Sequence, residues 1–378
     1  MRQIIAILTA EGDPPPALDG LVVRFTARLR SWLEDIAWSE GNGHRDSVGP
    51  ILAMFNQLEE AGRVRLLLDP EFYQAIHGAY HRRSADDLDQ LRQVVMRLGT
   101  SSLDKPTHRE VGPEEAILGD TIMVDYGTAF GRRVDDTSPV FMRGFDPMSM
   151  DERDVATRKL ELALAEIDES APVFGRLIRN YTRRIFVRKV GGLLPASEQV
   201  DTELGAIRLR NVHDAGYGHV DLVYDLIHES THNLLATHEV LEFPFLPFGT
   251  RQPDWVRPVS PWSRRPIQTL PFVHACFVYF AMYHYAQRQL MAAAPGSAAH
   301  RTARERRARY ASGFLVPGRL SGCVASLATI DPRVGQAIDW MEAIITRSAG
   351  LQQPAAASLG HRGPLTGKAV DPLAIAAQ

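Results

Sequence analysis

Two histidines and a glutamate stand together at His228-Glu229-Ser230-Thr231-His232. Histidines four residues apart lie one turn apart on one face of a helix, so both imidazoles can reach a single metal ion. Glu229 points about 100° away around that helix. From there it can address a metal-bound water without being an obligatory ligand. Val223, Leu226, Ile227, Leu234 and Leu235 supply apolar flanks that would bury the opposite side. The chemistry this spacing favours by itself is zinc-assisted hydrolysis, with Glu229 as general base.

A metal site asks for a third protein ligand, and three places offer one. His238 follows His232 by the interval of the extended H-E-x-x-H-x-x-G-x-x-H motif, but position 235 is Leu where that motif turns on Gly. A helix that simply continues carries His238 about 240° off the ligand face. Glu239 and Glu242 are the acidic options just beyond. The apolar stretch from Pro271 to Val278 has no carboxylate, so a ligand from there must be His274. An unpaired imidazole in such a run would cost free energy.

The elements that must position these groups are legible in the periodicity. Helical spacing runs from Leu18 to Trp38, Val48 to Leu58 and Asp86 to Leu98, and Asp69-Pro70 opens a further helix with Pro in its first turn. Ile122-Met123-Val124 predicts a strand, Gly131 to Pro147 a loop, and Asp151 to Asn180 one long helix. Arg184 to Arg188 and Gly205 to Arg210 alternate as strands. Asp221 to His238 is the motif helix, and a Pro-rich loop from Phe243 to Pro266 leads to a helix from Gln268 to Leu290. The strand before the motif predicts a sheet edge beside the site. There Ile207, Arg208 and Leu209 would hold an extended peptide by main-chain pairing. Arg301 to Arg309 carries five arginines in nine residues, read as a solvated helix face.

The chain divides into a helical region over 1–110, a mixed connecting region over 111–200, the motif region over 201–350, and a mobile tail over 351–378. Its 378 residues are 45% hydrophobic and 23% charged with a net charge of −3, which excludes a disordered chain and a dedicated nucleic-acid binder. Two cysteines build no disulfide framework and fit a reducing, cytoplasmic setting. The longest apolar run falls short of the ~20 residues a bilayer needs, and Ile4 to Leu8 is shorter than a signal-peptide core of about 7–15 residues. The expectation is a soluble protein without membrane or nucleic-acid partners. Oligomeric state is not legible.

Leu204 to Leu209, Asp221-Leu222, Leu226 to His232, Pro261-Trp262 with Arg265-Pro266, and Leu270 to Val278 around His274 follow one another in an ordered series. Over about 200–285 this series resembles the H-E-x-x-H peptide-modification proteins found beside ribosomally made, post-translationally modified peptides. Leu66 to Pro70 and the helix after it are similar to that family's N-terminal part. The resemblance implies a zincin-like fold and iron(II), 2-oxoglutarate-dependent hydroxylation of a peptide β-carbon. It makes His228 and His232 metal ligands and His274 the third. It also makes Arg265, with its neighbours Arg264 and Trp262, the partner of the oxo-acid carboxylate, which a guanidinium fork matches. Non-haem iron oxygenases usually present two histidines and one carboxylate, so either the set has three histidines or Glu229 joins it.

The sequence therefore predicts an α+β protein, helix-rich and zincin-like, with a small sheet packed on the H-E-x-x-H helix. Its expected function is an iron(II)/2-oxoglutarate-dependent peptide hydroxylase whose partner is a ribosomally made precursor peptide. Two rivals are a zinc metallopeptidase with Glu229 as base, and a non-catalytic peptide-binding protein.

Overall fold

Apolar residues at helical spacing build the start of the chain into α1 (Arg2–Thr9), α2 (Ala17–Trp38), α3 (Arg45–Gln57), α4 (Pro70–His81) and α5 (Ala85–Thr100). The computed structural model describes residues 1–9, 17–38, 45–58, 66, 69–81, 85–100, 112–119, 121–137, 145–200, 203–246, 257–316, 320–325 and 330–350. The tail from Leu351, read as mobile, lies outside the described residues. Asp69 caps α4 by accepting the Glu71 N–H at 2.9 Å, and Pro70 occupies the first turn, where no N–H is needed. Leu33, Val48, Phe55, Phe72, Ile76 and Leu91 are buried together in a core of their own that also takes in Ala236. The first helix departs from the division at residue 110, because Ile4, Ile7 and Leu8 are buried in the main core instead.

A five-stranded mixed sheet follows: β1 (Glu115–Leu118), β2 (Ile122–Asp125), β3 (Arg184–Arg188), β4 (Ala196–Glu198) and β5 (Ala206–Arg210). Its order is β1-β2-β3-β5-β4, parallel from β2 through β3 to β5 and antiparallel at both ends. Strands from the expected connecting region and the expected motif region thus share one sheet. The stretch from Gly131, read as loop, instead begins inside α6 (Ala129–Thr137). Thr128 starts that helix by accepting the Gly131 N–H at 3.0 Å, a cap that hydrophobic periodicity does not reveal. The single helix expected over Asp151 to Asn180 is two, α7 (Met150–Ser170) and α8 (Pro172–Tyr181). Pro172 lacks an N–H and cannot continue the ladder, so the chain bends at Ala171.

The remaining helices are α9 (His219–Leu241), α10 (Thr269–Ala292), the arginine-rich α11 (Ala298–Ser312), α12 (Leu320–Ala325) and α13 (Pro332–Gly350). Ile185, Val187, Ile207 and Leu209 point from one sheet face into a core shared with Leu226, Ile227, Phe272 and Phe277 of α9 and α10. The protein is therefore α+β and helix-rich, with a small sheet packed on the motif helix. Among the described residues no helix is long and apolar enough to cross a membrane.

The other sheet face carries buried charge beside Phe186 and Ala206, which pack on Phe130. Arg184 and Arg188 are buried there and converge on the carboxylate of Asp125, at 3.0 and 3.3 Å. Arg208 meets the buried Glu203 through its Nε at 2.8 Å. Burial alone would raise the Asp125 pKa, but the two guanidiniums outweigh it and hold it below the usual carboxylate range. Gly131 lies against this cluster, where an added Cβ would collide with Arg188 Nη2 and Asp125 Oδ1. Replacing Asp125 by Ala removes the carboxylate that both buried arginines share, and we expect a loss of about 3–5 kcal/mol in urea unfolding. A loss below about 1 kcal/mol would show that the arginines do not depend on it.

Candidate metal centre

Helix α9 is seated by polar contacts made beside its own motif. Asn233 accepts the Gly205 N–H at 3.2 Å and donates to the Ala206 carbonyl at 3.1 Å. Ser230 shares a 2.8 Å hydrogen bond with Thr182. Gly205 has a φ of +82°, a conformation costly for any residue with a Cβ, and so exposes its backbone to Asn233. These contacts fix the rotation of the helix and direct His228, Glu229 and His232 to one side.

On that side the donor atoms of His228, Glu229 and His232 all lie within 4.8 Å of one another. The Nε2 atoms of the two histidines are 3.3 Å apart, and Glu229 Oε1 lies 3.9 Å from His228 Nε2. Burial pushes the pKa of both imidazoles down, His232 well below its ordinary value, so both rings are neutral at neutral pH. Two neutral ring nitrogens facing each other at this distance must share a proton or a cation, and neutral imidazole is the form that binds metal.

Glu229 is buried and held by β4, whose Ser197 hydroxyl donates to Oε1 at 2.7 Å. Burial raises its pKa to about 7, against the pull of the Ser197 hydroxyl and the Gln199 N–H. A carboxylate so poised can serve as a base at neutral pH or as a ligand. Asp225, one turn before His228 on the same face, was not read from the sequence. It accepts the Tyr217 hydroxyl, and burial pushes its pKa up to about 6. The signal for it was the three-residue interval to His228.

His274 is brought to the site, but not as a third converging nitrogen. Its Nδ1 lies 3.2 Å from Nδ1 of His232, across the ring from the nitrogen that faces His228. Its Nε2 lies 2.8 Å from Glu239 Oε2, and Glu239 Oε1 accepts the Phe245 N–H at 3.0 Å. The other candidates are placed elsewhere. Glu242 pairs with Arg24 at the end of α9. His238 is buried between Phe243 and Phe245, where neither ring nitrogen has a hydrogen-bond partner among the described residues. The helix continues past position 235, so His238 leaves the ligand face.

Trp262 does not open toward a cosubstrate carboxylate. Its indole stacks on Tyr279 at 4.4 Å, donates to the Tyr310 carbonyl at 2.9 Å and lies so close over Gly313 that a Cβ there would collide with it. It bolts the turn from Ser260 to Arg265 onto α10 and α11. Tyr279 in turn sits edge-on to His228, with ring centroids 6.4 Å apart. The turn leaves the side chains of Arg264 and Arg265 exposed, without an ion pair among the described residues.

The expectation that β5 offers an edge fails. It is paired on both sides, to β3 and β4, and Ile207, Arg208 and Leu209 are buried. The pairing partner that occupies the edge is β4, three residues too short to show alternation. The arginine run does form a helix, with Arg301, Arg304 and Arg309 exposed, while Arg306 reaches Asp221 and Arg307 reaches Tyr283.

Compared with known proteins, the chain matches no protein-family model and no curated protein.

His238 gives a test of the burial at the end of α9. Its pKa is lowered to about 3 by burial, so below the unfolded value near 6.5 the unfolded chain takes a proton that the folded one refuses. Its contribution to stability is therefore lost as pH falls from about 6.5, at up to about 1.4 kcal/mol per pH unit. His238→Leu should flatten urea-unfolding stability between pH 7.5 and 5 by that slope, and an unchanged profile would count against a neutral buried ring.

Proposed function

We propose that this chain is an iron(II)- and 2-oxoglutarate-dependent hydroxylase that acts on the β-carbon of a residue in a ribosomally made peptide. The observation that supports the reading is the donor set on one face of α9. Two imidazoles and one carboxylate, from His228, His232 and Glu229, are the ligand types of non-haem iron(II) oxygenases. The resemblance over about 200–285 makes His274 the third ligand. Its place behind His232 leads us to Glu229 instead. We read the mixed sheet under the motif helix as a zincin-like arrangement put to oxidative use.

When bound, iron(II) with 2-oxoglutarate and O₂ supplies oxidation of an unactivated C–H bond. The chain supplies the rest. Neutral His228 and His232 offer their Nε2 lone pairs, and Ser197 holds the Glu229 carboxylate toward them. Tyr279 and Trp262 wall one flank, which keeps water from the reacting bond. Arg265, or its neighbour Arg264, stands on the turn that Trp262 anchors there, and in this reading takes the far carboxylate of the cosubstrate. The peptide adds along β4, one of the two edge strands of the sheet among the described residues and the one whose Ser197 holds Glu229. A reducing cytoplasm, which keeps iron in its divalent state, is the setting this reading implies.

One observation favours zinc peptidase chemistry as the alternative. Glu229 is buried and raised to about 7, which suits a general base acting on a metal-bound water. Incubating the protein with iron(II), 2-oxoglutarate and the precursor peptide encoded beside it separates the two. Hydroxylation adds the mass of one oxygen to the intact peptide, whereas zinc-dependent cleavage without oxygen addition would establish the peptidase. Glu229→Gln should abolish turnover and spare the fold, and wild-type-like activity in that variant sinks both readings. Arg265→Ala should raise the 2-oxoglutarate requirement about 10–100-fold, the worth of a hydrogen bond to a charged group. An unchanged requirement moves the carboxylate site to Arg264 or elsewhere.

A further inference from the structure

His232 has two ring nitrogens, and only one can face the ion. Which one carries the lone pair is decided by what the other touches. Its Nδ1 touches Nδ1 of His274, at 3.2 Å. His274 is itself buried, and its Nε2 lies against the Glu239 carboxylate at 2.8 Å. A carboxylate only accepts, so Nε2 of His274 carries the hydrogen. A His232 that gives its Nε2 lone pair to a metal carries its hydrogen on Nδ1, and Nδ1 of His274 is the atom placed to accept it. With that hydrogen on Nδ1, the lone pair of His232 sits on Nε2, the atom that faces His228.

We infer that Glu239 is a positioning residue that acts through His274 to fix the tautomer and orientation of His232, so that His232 offers Nε2 to the metal. The inference rests on the metal-centre reading proposed above. Metal-bound histidines commonly donate their second nitrogen to a carboxylate, and the loss of such a partner typically costs 10–100-fold in metal affinity. Here the carboxylate is one ring removed. Phe245 keeps the chain of contacts in line: its N–H holds the other Glu239 oxygen at 3.0 Å, and its ring packs edge-on to His274 at 5.7 Å. Glu239 lies two turns after His232 on α9, and His274 comes from α10, so the relay also ties the two helices at the depth of the site.

The test is anaerobic titration of the full chain with cobalt(II), followed by its visible absorption. The wild type should take up one ion per chain. Glu239→Ala should weaken cobalt affinity 10–100-fold without changing the band positions and intensities that report coordination number. Glu239→Gln, which keeps one accepting oxygen for the two donors of His274 and Phe245, should bind cobalt with an affinity between those of Glu239→Ala and wild type. His274→Ala should weaken binding and likewise keep the coordination number. Equal cobalt affinity in Glu239→Ala and wild type, with only the thermal midpoint of the metal-free protein lowered, would show a merely structural role and overturn the relay alone. A changed coordination number in His274→Ala would make His274 a ligand and overturn it too. A wild type that binds no cobalt overturns the metal centre itself, and the relay falls with it.

Discussion

The buried amide of Asn233 is the contact on which the cluster of His228, Glu229 and His232 depends. It follows His232 directly and satisfies both a backbone N–H and a backbone carbonyl at the start of β5. Each such group left bare in the interior would cost about 1–3 kcal/mol, so the helix has one rotation in which the strand is satisfied. That rotation sets the two histidines and Glu229 together, with Glu229 reaching Ser197 at the β4 edge of the sheet. A few degrees of slip would draw Glu229 off Ser197, now at 2.7 Å, and His232 off His274, now at 3.2 Å.

The sheet does different work on its two faces. Toward α9 it is apolar, with Ile185, Val187, Ile207 and Leu209 packing the helix from below. On the reverse it carries Arg184, Arg188 and Arg208, each buried and matched to an acid. Those pairs add little net stability, because desolvation offsets most of their attraction. Their effect is specificity, since a one-residue slip of β3 or β5 would drive arginines into the apolar core and strand the acids.

Burial also tunes the centre itself. It makes His228 and His232 neutral and brings Glu229 to about 7, while the edge strand reaches in through Ser197 to hold the carboxylate. A second carboxylate, Glu239, stands behind the pair and never meets it, because the His274 ring lies between. Nearer water the same residues would keep ordinary pKa values, and the histidines would spend much of their time protonated below pH 7.

Spacing alone determined that His228 and His232 share a helix face, because an interval of four is a property of the α-helix wherever it occurs. It determined most of the helices and the strands β2, β3 and β5 for the same reason, since their periodicity is local. Three-residue β4 has no period to read, and Thr128 and Pro172 changed boundaries through single hydrogen-bonding groups. Only the tertiary structure decided that β5 is interior, that Trp262 is an anchor, and that His274 stands behind His232 with Glu239 at its back. Those are relations between separate elements, the His274–Glu239 contact spanning 35 residues and the His232–His274 contact 42. Which nitrogen of a ring faces which neighbour is set by how those elements pack, and no pattern within one element records it.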